Sequence, residues 1–475
     1  MSRSIASLLP LIILAGTMPL LMIILCFVRS HALTFYVTLL AVAASLAALA
    51  TVSPLGGRKI GILFIFDSLT LFYGALMLAA GLAIVILSHE YLMRRPGDPE
   101  EYYILLLGAM LGALIVIASR HFASLFLGFE LLSISLYPLI AYLRSAPPHA
   151  EAGMKYLILS GVSSAFLLFG MALVYGVTGT MDFSLIGQKL MGLAIGAPMA
   201  LAGMVFLIVG VGFKIGLVPF HMWTPDVYEG SPAPIAAFIA TISKGSMIGL
   251  LLRYFSGVSL ADHPRLFLIF AIMAIASMFA GNLLALFQNN IKRLLAYSSI
   301  AHFGYLLVAI LSAGSLKVAA TTYYLVAYLA TTLGAFGVVT LLSGKERDAD
   351  GIDAYEGLGR RSPWLGGMLA FMLLSLAGMP LTAGFIGKFY VVTAGIGSSL
   401  WILVVILIVN SAIGLFYYLR VTAAVYRTPS GEASQCPTCG MTARLVMIVL
   451  FALVVWWGIY PSHLAGLIET IRIGQ

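Results

Sequence analysis

Apolar runs of about 20 residues recur along the whole chain, and the short stretches between them carry the charges, prolines, glycines and asparagines. A helix rising 1.5 Å per residue needs roughly that length to cross a hydrocarbon layer of about 30 Å. Marking the runs predicts fourteen membrane spans, near 7–28, 32–53, 66–88, 103–119, 122–143, 152–178, 198–222, 232–257, 264–287, 293–312, 318–343, 364–394, 400–426 and 443–462. An even number puts both termini on one side. Two runs depart from a plain helix. In GFKIGLVPFHMWTPDVYEGSPAP, Pro219 lacks a backbone donor and clashes with the carbonyl of Ile215. The run 364–394 has 31 residues, too many for one straight crossing, and carries Gly378, Met379, Pro380, Gly384 and Gly387 before Lys388. Both read as broken helices with a lysine beside the break. Irregular backbone at membrane depth survives only where protein or enclosed water satisfies it, so paired breaks point to an ion path.

The fold expected is therefore an all-α polytopic membrane protein, with residues 1–102 as spans one to three and 103–260 and 261–428 as two pseudo-repeated five-span units. Residues 429–475 form a loop and the last span. Composition agrees: 61% of the 475 residues are hydrophobic and 9% charged. Mean hydropathy is +1.06. A soluble protein is excluded. The net charge of +8 is spread singly between apolar runs, which leaves no basic patch for nucleic acid.

Sorting Lys and Arg by loop gives thirteen opposite the termini, including Arg144 and Lys292, and nine on the termini side, including Arg3, Arg58 and Arg253. That excess favours termini facing the periplasm of a bacterial inner membrane. The first run has no clear cleavage site and reads as a span that stays. Cys26 reads as a core residue. The pair Cys436 and Cys439 lacks the second pair a zinc site needs, and a polar loop with two reduced thiols is the expectation.

Four basic residues do not fit the loops: Lys155, Lys214, Lys244 and Lys388 lie inside spans, as does Glu130, while Asp67 starts one. Each charge near the bilayer centre costs about 2.5–3.5 kcal/mol on insertion scales, so such groups must be paired, hydrated or deprotonated. Lysine and glutamate suit proton transfer because burial moves both toward neutral pH, whereas arginine stays charged. Lys155, near the start of its span, fits either a functional role or a surface role, snorkelling or pairing with Glu151 one helical turn away. His302, mid-span beside Ser298, Ser299 and Tyr305, fits a proton relay or a satisfied core residue, and His221, after the first break, a relay or an entrance role. The chain has no P-loop, GxGxxG, HExxH, CxxCH or iron–sulfur cysteine set.

The stretches FLGFELLSISLY, KYLILSGVSSAFLLFGMALVYG, GFKIGLVPFHMWTPDVYEGSPAPIAAFIATISKG, QNNIKRLLAYSSIAHFGYLLVA and GMPLTAGFIGKFYV closely resemble the antiporter-like N-subunit family of bacterial proton-pumping NADH:quinone oxidoreductase, respiratory complex I. The likeness runs from about residue 7 to 465. It implies fourteen helices with two inverted five-helix repeats, each with one discontinuous helix. Its membrane charges match Glu130, Lys155, Lys214, Lys244 and Lys388, and the last of these separates the chain from the M subunit, which has Glu there. The longer L subunit carries a lateral C-terminal helix for which no residues remain.

The resemblance further implies a translocase subunit with no redox centre of its own. FMN, iron–sulfur clusters and quinone are expected in other subunits. Its partners are the lipid bilayer, the M subunit and the small membrane subunits near the peripheral arm. On this reading Lys214 is the central carrier, tuned by an ion pair with Glu130, while Lys155 and Lys244 lead to Lys388. The alternatives are a core subunit of a multi-subunit cation/proton antiporter or membrane-bound hydrogenase, and a passive scaffold. CPTC belongs to no motif of the family.

Overall fold

The structure, a computed structural model, describes residues 2–52, 58–143, 147–192, 198–258, 260, 263–314, 316–428 and 439–474. Arg144 and Cys436 fall outside these residues, as do the side chains of Arg3 and Arg58. The first three long helices are α1 (Ser2–Phe27), α2 (His31–Val52) and α3 (Ser68–Met93), with a small antiparallel hairpin, β1 (Arg58–Ile60) and β2 (Phe64–Phe66), between the last two. There follow α4 (Glu100–Ala118), α5 (Phe122–Ile140), α6 (Pro147–Thr178), a short α7 (Phe183–Gly192), α8 (Pro198–Ile215) and α9 (Trp223–Gly230). Next come α10 (Ala233–Phe238) and α11 (Lys244–Gly257), joined through a π-helical turn, Ile239–Ser243. Then come α12 (Pro264–Ala285), α13 (Ile291–Leu311), α14 (Leu316–Leu342), a four-residue α15 (Leu358–Arg361), α16 (Pro363–Ala377), α17 (Ala383–Gly397) and α18 (Trp401–Tyr426). Helices α19 (Met441–Ile459) and α20 (Pro461–Glu469) follow.

Thirteen helical stretches among the described residues are long and apolar enough to span a membrane, α10 to α11 counting as one. The half-helices α16 and α17 together make the fourteenth expected crossing. Side-chain contacts sort the connections onto two faces, as the alternation requires. On the termini side Arg120 pairs with Asp182, and the Ser68 hydroxyl donates to the Arg472 carbonyl. On the other face Arg293 pairs with Asp226 and Glu229, and Arg95 with Asp348.

Helices α11, α13 and α14 are buried nearly all round and wrapped by others, whereas α1, α6, α18 and α19 leave apolar faces outward, with Phe169, Ile402 and Leu445 exposed. Between membrane helices close packing, not the hydrophobic effect, drives association, and small residues permit it. A Cβ on Gly112 of α4 would sit 2.5 Å from the Leu132 nitrogen of α5, and one on Gly281 of α12 equally close to the Ala301 nitrogen of α13. A Cβ on Gly170 of α6 would meet the Gly203 carbonyl of α8 at 2.8 Å.

Both expected breaks are present, and both end in the same way. Helix α8 stops at Gly216 (φ +80°) and α16 at Gly378 (φ +88°), a left-handed conformation that glycine adopts without strain. The amide of each glycine donates three residues back, to Phe213 or Ser375, and the next amide donates five back, to Gly212 or Leu374, the double closure of a Schellman cap. Pro219 and Pro380 follow and prevent continuation.

Candidate functional site

Lys214 lies on the last turn of α8, fully buried. Its Nζ donates to the Ser133 hydroxyl of α5 at 2.7 Å and the Tyr156 hydroxyl of α6 at 2.9 Å, with the Phe129 ring centre 5.0 Å away. The backbone freed by the break is satisfied separately: the Val218 amide donates to Ser277 Oγ at 3.0 Å, and the Trp223 indole to the Phe213 carbonyl at 2.9 Å.

Glu130 stands one helical turn before Ser133 on α5 and accepts a hydrogen bond from the Ser164 hydroxyl of α6. The expected ion pair with Lys214 is absent from the ion pairs of the described residues. The reason is local: Ser133 takes the ammonium's bond on the shared face of α5, while the carboxylate is turned to α6. Nor is Glu130 deeply enclosed, since it is half-buried in the isolated chain. Carboxylate and ammonium are each held by a different serine, Ser164 and Ser133.

Lys244 is the first residue of α11, just past the π turn, and is fully buried. Its Nζ donates to Ser299 Oγ of α13 at 2.5 Å and lies among Phe303, Tyr228 and Trp223, whose ring centres are 5.3 to 6.0 Å away. A Cβ on Gly216 would lie 3.2 Å from this Nζ and 2.6 Å from Thr224 Oγ1, so Lys244 reaches across to the first break. Thr224 Oγ1 is buried there with no hydrogen-bond partner.

From Ser299 the polar line continues along α13. Ser298, His302 and Tyr305 recur at i, i+4 and i+7 on one stripe. Ser298 shares a hydrogen bond with the Tyr418 hydroxyl of α18. His302 is bonded through Nδ1 to the Tyr324 hydroxyl at 2.7 Å and through Nε2 to that of Tyr418 at 3.0 Å. Lys388, on the second turn of α17, donates to the Ala377 carbonyl at the end of α16 and to Ser411 Oγ, both at 2.7 Å, with the Tyr305 ring 5.5 Å away. Hydroxyls and imidazoles both donate and accept, so the group Ser298, Tyr418, His302 and Tyr324 can exchange bonds among themselves, while among the described residues no direct hydrogen bond joins this group to Lys244 or Lys388.

Lys155 stands apart. It is exposed and pairs with Glu151 at 2.7 Å and Asp226 at 2.8 Å, the surface arrangement that was one of its two readings. His221 lies in the first break, nearly buried, with Nδ1 unpartnered. Cys439 is half-buried. Among the described residues no three His, Cys, Asp or Glu side chains converge as a metal site.

The interior holds more charge than sorting by loop implied. Arg253, assigned to a loop, is buried against the fully buried Asp67, donating at 2.7 and 2.8 Å to its two oxygens and 2.7 Å to Thr70. Asp67 also caps α3 by accepting from the Thr70 amide. Lys292, likewise assigned to a loop, is buried between Asp348 at 2.7 Å and Asp350 at 3.2 Å, and Arg95 donates to Asp348 at 2.6 Å. Burial alone would raise the Asp348 carboxyl, yet Lys292 and Arg95 hold it down to about 2. A depressed carboxylate stabilises fully above its ordinary value of 3.8 and loses that contribution as pH falls through about 2, so none is lost near neutrality. A Lys or Arg beside a polar loop carries no sequence signal that the loop will fold over it.

Residues 119–414 match the family described as NADH:quinone oxidoreductase/Mrp antiporter, transmembrane. A protein of Ectopseudomonas mendocina named NADH-quinone oxidoreductase subunit N is 44% identical, the match covering 99% of this chain and 97% of that one. Its namesake from Chromohalobacter salexigens is 46% identical over 99% and 98%. Among solved structures, a chain of respiratory complex I from Thermus thermophilus superposes with TM-score 0.84 at 32% identity, covering 98% of this chain and all of that one. A chain of the Mrp complex from Dietzia superposes with TM-score 0.85 at 17% identity, covering 98% and 96%, a likeness of fold.

Proposed function

The chain belongs to the N-subunit family of NADH:quinone oxidoreductase, and from that premise we propose that its buried lysines carry protons across the membrane arm of the complex. It is a multi-pass antiporter-like subunit of a proton-translocating enzyme. In this reading Glu130 and Lys214 form the first station, held by Ser164 and Ser133 respectively. Lys244 is the second, and Ser299, Ser298, Tyr418 and His302 lead on to Lys388. Lys155 belongs to the rim with Asp226 and Arg293.

The observation that carries the reading is the fully enclosed pair Lys214 and Lys244 at one helix break, bonded to neutral hydroxyls. An isolated buried ammonium is costly, and a fold that served only as a scaffold would gain from replacing it. Hydroxyl partners accept from an ammonium and donate to a neutral amine, so they accommodate either state. The N-subunit relatives at 42–46% identity favour complex I over the antiporter and hydrogenase alternatives.

FMN, iron–sulfur clusters and quinone then belong to other subunits. The M subunit and the small membrane subunits near the peripheral arm are the neighbours, and the termini face the periplasm of a bacterial inner membrane. The test is proton pumping by the assembled complex in vesicles with Lys214→Met or Glu130→Gln. Pumping should fall at least about tenfold for the lysine, in line with the contribution of a positioned acid–base group, while the complex still assembles. Full pumping by both variants would sink the assignment.

A further inference from the structure

Among the described residues no direct hydrogen bond carries the contact between Lys244 and Ser299 on to the bonded group around His302. Helix α14 lies alongside and presents a second row of polar groups. Tyr324, Tyr328 and Thr332 recur at i, i+4 and i+8, so they share one face of α14, and all three are buried. The Tyr324 hydroxyl meets His302 Nδ1 at 2.7 Å. The Tyr328 ring packs against those of His302 and Phe303, with centres 5.4 and 5.3 Å away. Its hydroxyl is turned toward those of Ser299 and Thr332, and Ser299 is the group that accepts from Lys244 Nζ at 2.5 Å. Neither approach closes into a direct bond, so the Tyr328 hydroxyl and Thr332 Oγ1 are buried and unpaired.

We propose that Tyr328 is a further proton-carrying residue, joining Lys244 and Ser299 to Tyr324 and His302 through enclosed water, a role that rests on the lysines being proton carriers. An unpaired buried hydroxyl is unfavourable, and phenylalanine would fill the same space without one. An enclosed water needs two to four polar partners, and Ser299, Tyr328, Thr332 and Tyr324 supply them. Tyr324 and Tyr328 are offset by one turn of α14, about 5.4 Å, which one water spans with two O···O bonds of about 2.7–2.8 Å.

The transfer balances without any outside base. Lys244 gives a proton to Ser299, whose own hydrogen passes by way of water to Tyr328. Tyr328 passes its hydrogen through the next water to Tyr324, and Tyr324 gives its own to His302 Nδ1. Each hydroxyl ends as it began, because it accepts on one side and donates on the other. Lys244 is left neutral, and His302 becomes an imidazolium whose Nε2 proton faces the Tyr418 hydroxyl at 3.0 Å.

The test is the rate of proton pumping by the assembled complex in vesicles, in H2O and in D2O, for Tyr328→Phe and Lys244→Met beside the unaltered complex. Tyr328→Phe keeps the ring against His302 and Phe303 and should slow pumping at least about fivefold, short of the roughly hundredfold of a directly positioned acid–base group because water still bridges part of the gap. The ratio of the rates in H2O and D2O should rise in this variant, since proton transfer then limits turnover, a change that lost packing would not produce. If Lys244→Met slows pumping while Tyr328→Phe leaves the rate and that ratio unchanged, Tyr328 is off the line and the lysine reading stands. Full pumping by Lys244→Met removes both. Should Tyr328→Phe not assemble, a water-resolving map of the unaltered complex replaces it: water bonded to the Tyr328 and Tyr324 hydroxyls supports the role, and a dry Tyr328 hydroxyl overturns it.

Discussion

The two helix breaks end in the same glycine cap but satisfy their lysines differently. At the first, Lys214 and Lys244 bond only to side-chain hydroxyls, and the freed backbone is served by Trp223 and Ser277. At the second, Lys388 itself serves the backbone, through the Ala377 carbonyl. A carbonyl only accepts, whereas hydroxyls reverse their bonds when a proton leaves. The first break is thus indifferent to the charge on its lysines, while the second asks its lysine to keep one hydrogen in place. Neutral Lys388 can still meet that demand, with Ser411 donating to its lone pair. The difference gives Lys388, beyond its place on the proton line, a role in holding the half-helices together.

The comparison can be broken by stability measurements. Lys388→Met leaves the Ala377 carbonyl without its donor and should lower the stability of the assembled complex by about 1–3 kcal/mol. Lys214→Met should cost less, because Ser133 keeps its own bond to the Phe129 carbonyl. Thermal unfolding of the two variant complexes checks the order, and equal losses would erase the distinction between the breaks. A smaller effect is expected between them. Tyr418→Phe removes the hydroxyl shared by Ser298 and His302 and should slow pumping severalfold with quinone reduction still coupled, whereas an unchanged rate removes Tyr418 from the line. The smallest effect belongs to Lys155. Its exposed pairs with Glu151 and Asp226 are worth under about 1 kcal/mol, and Lys155→Ala should leave pumping within about twofold of normal.

Much of this was legible in the chain. The span pattern located the crossings, and Pro219 and the Gly378–Pro380 step located both breaks, because proline and left-handed glycine act locally. The short helices α7, α9 and α20 fall in or beside expected loops, since short segments give little periodicity. At the site, four lysines and Glu130 were recognisable because charge inside an apolar run is anomalous. What they touch was not. The carboxylate at Glu130 bonds to Ser164 instead of Lys214, and Arg253 with Asp67 and Lys292 with Asp348 join residues more than 50 positions apart. Such pairings arise from tertiary packing, which a single sequence does not display.

The central claim is that both breaks lie on one proton line. A double-substitution cycle tests it most directly, with the pumping rate of vesicles containing Lys244→Met, Lys388→Met and the double variant. For stations in series the double variant pumps no worse than the poorer single one. If the two losses multiply, or neither single substitution slows pumping, the breaks do not share a path.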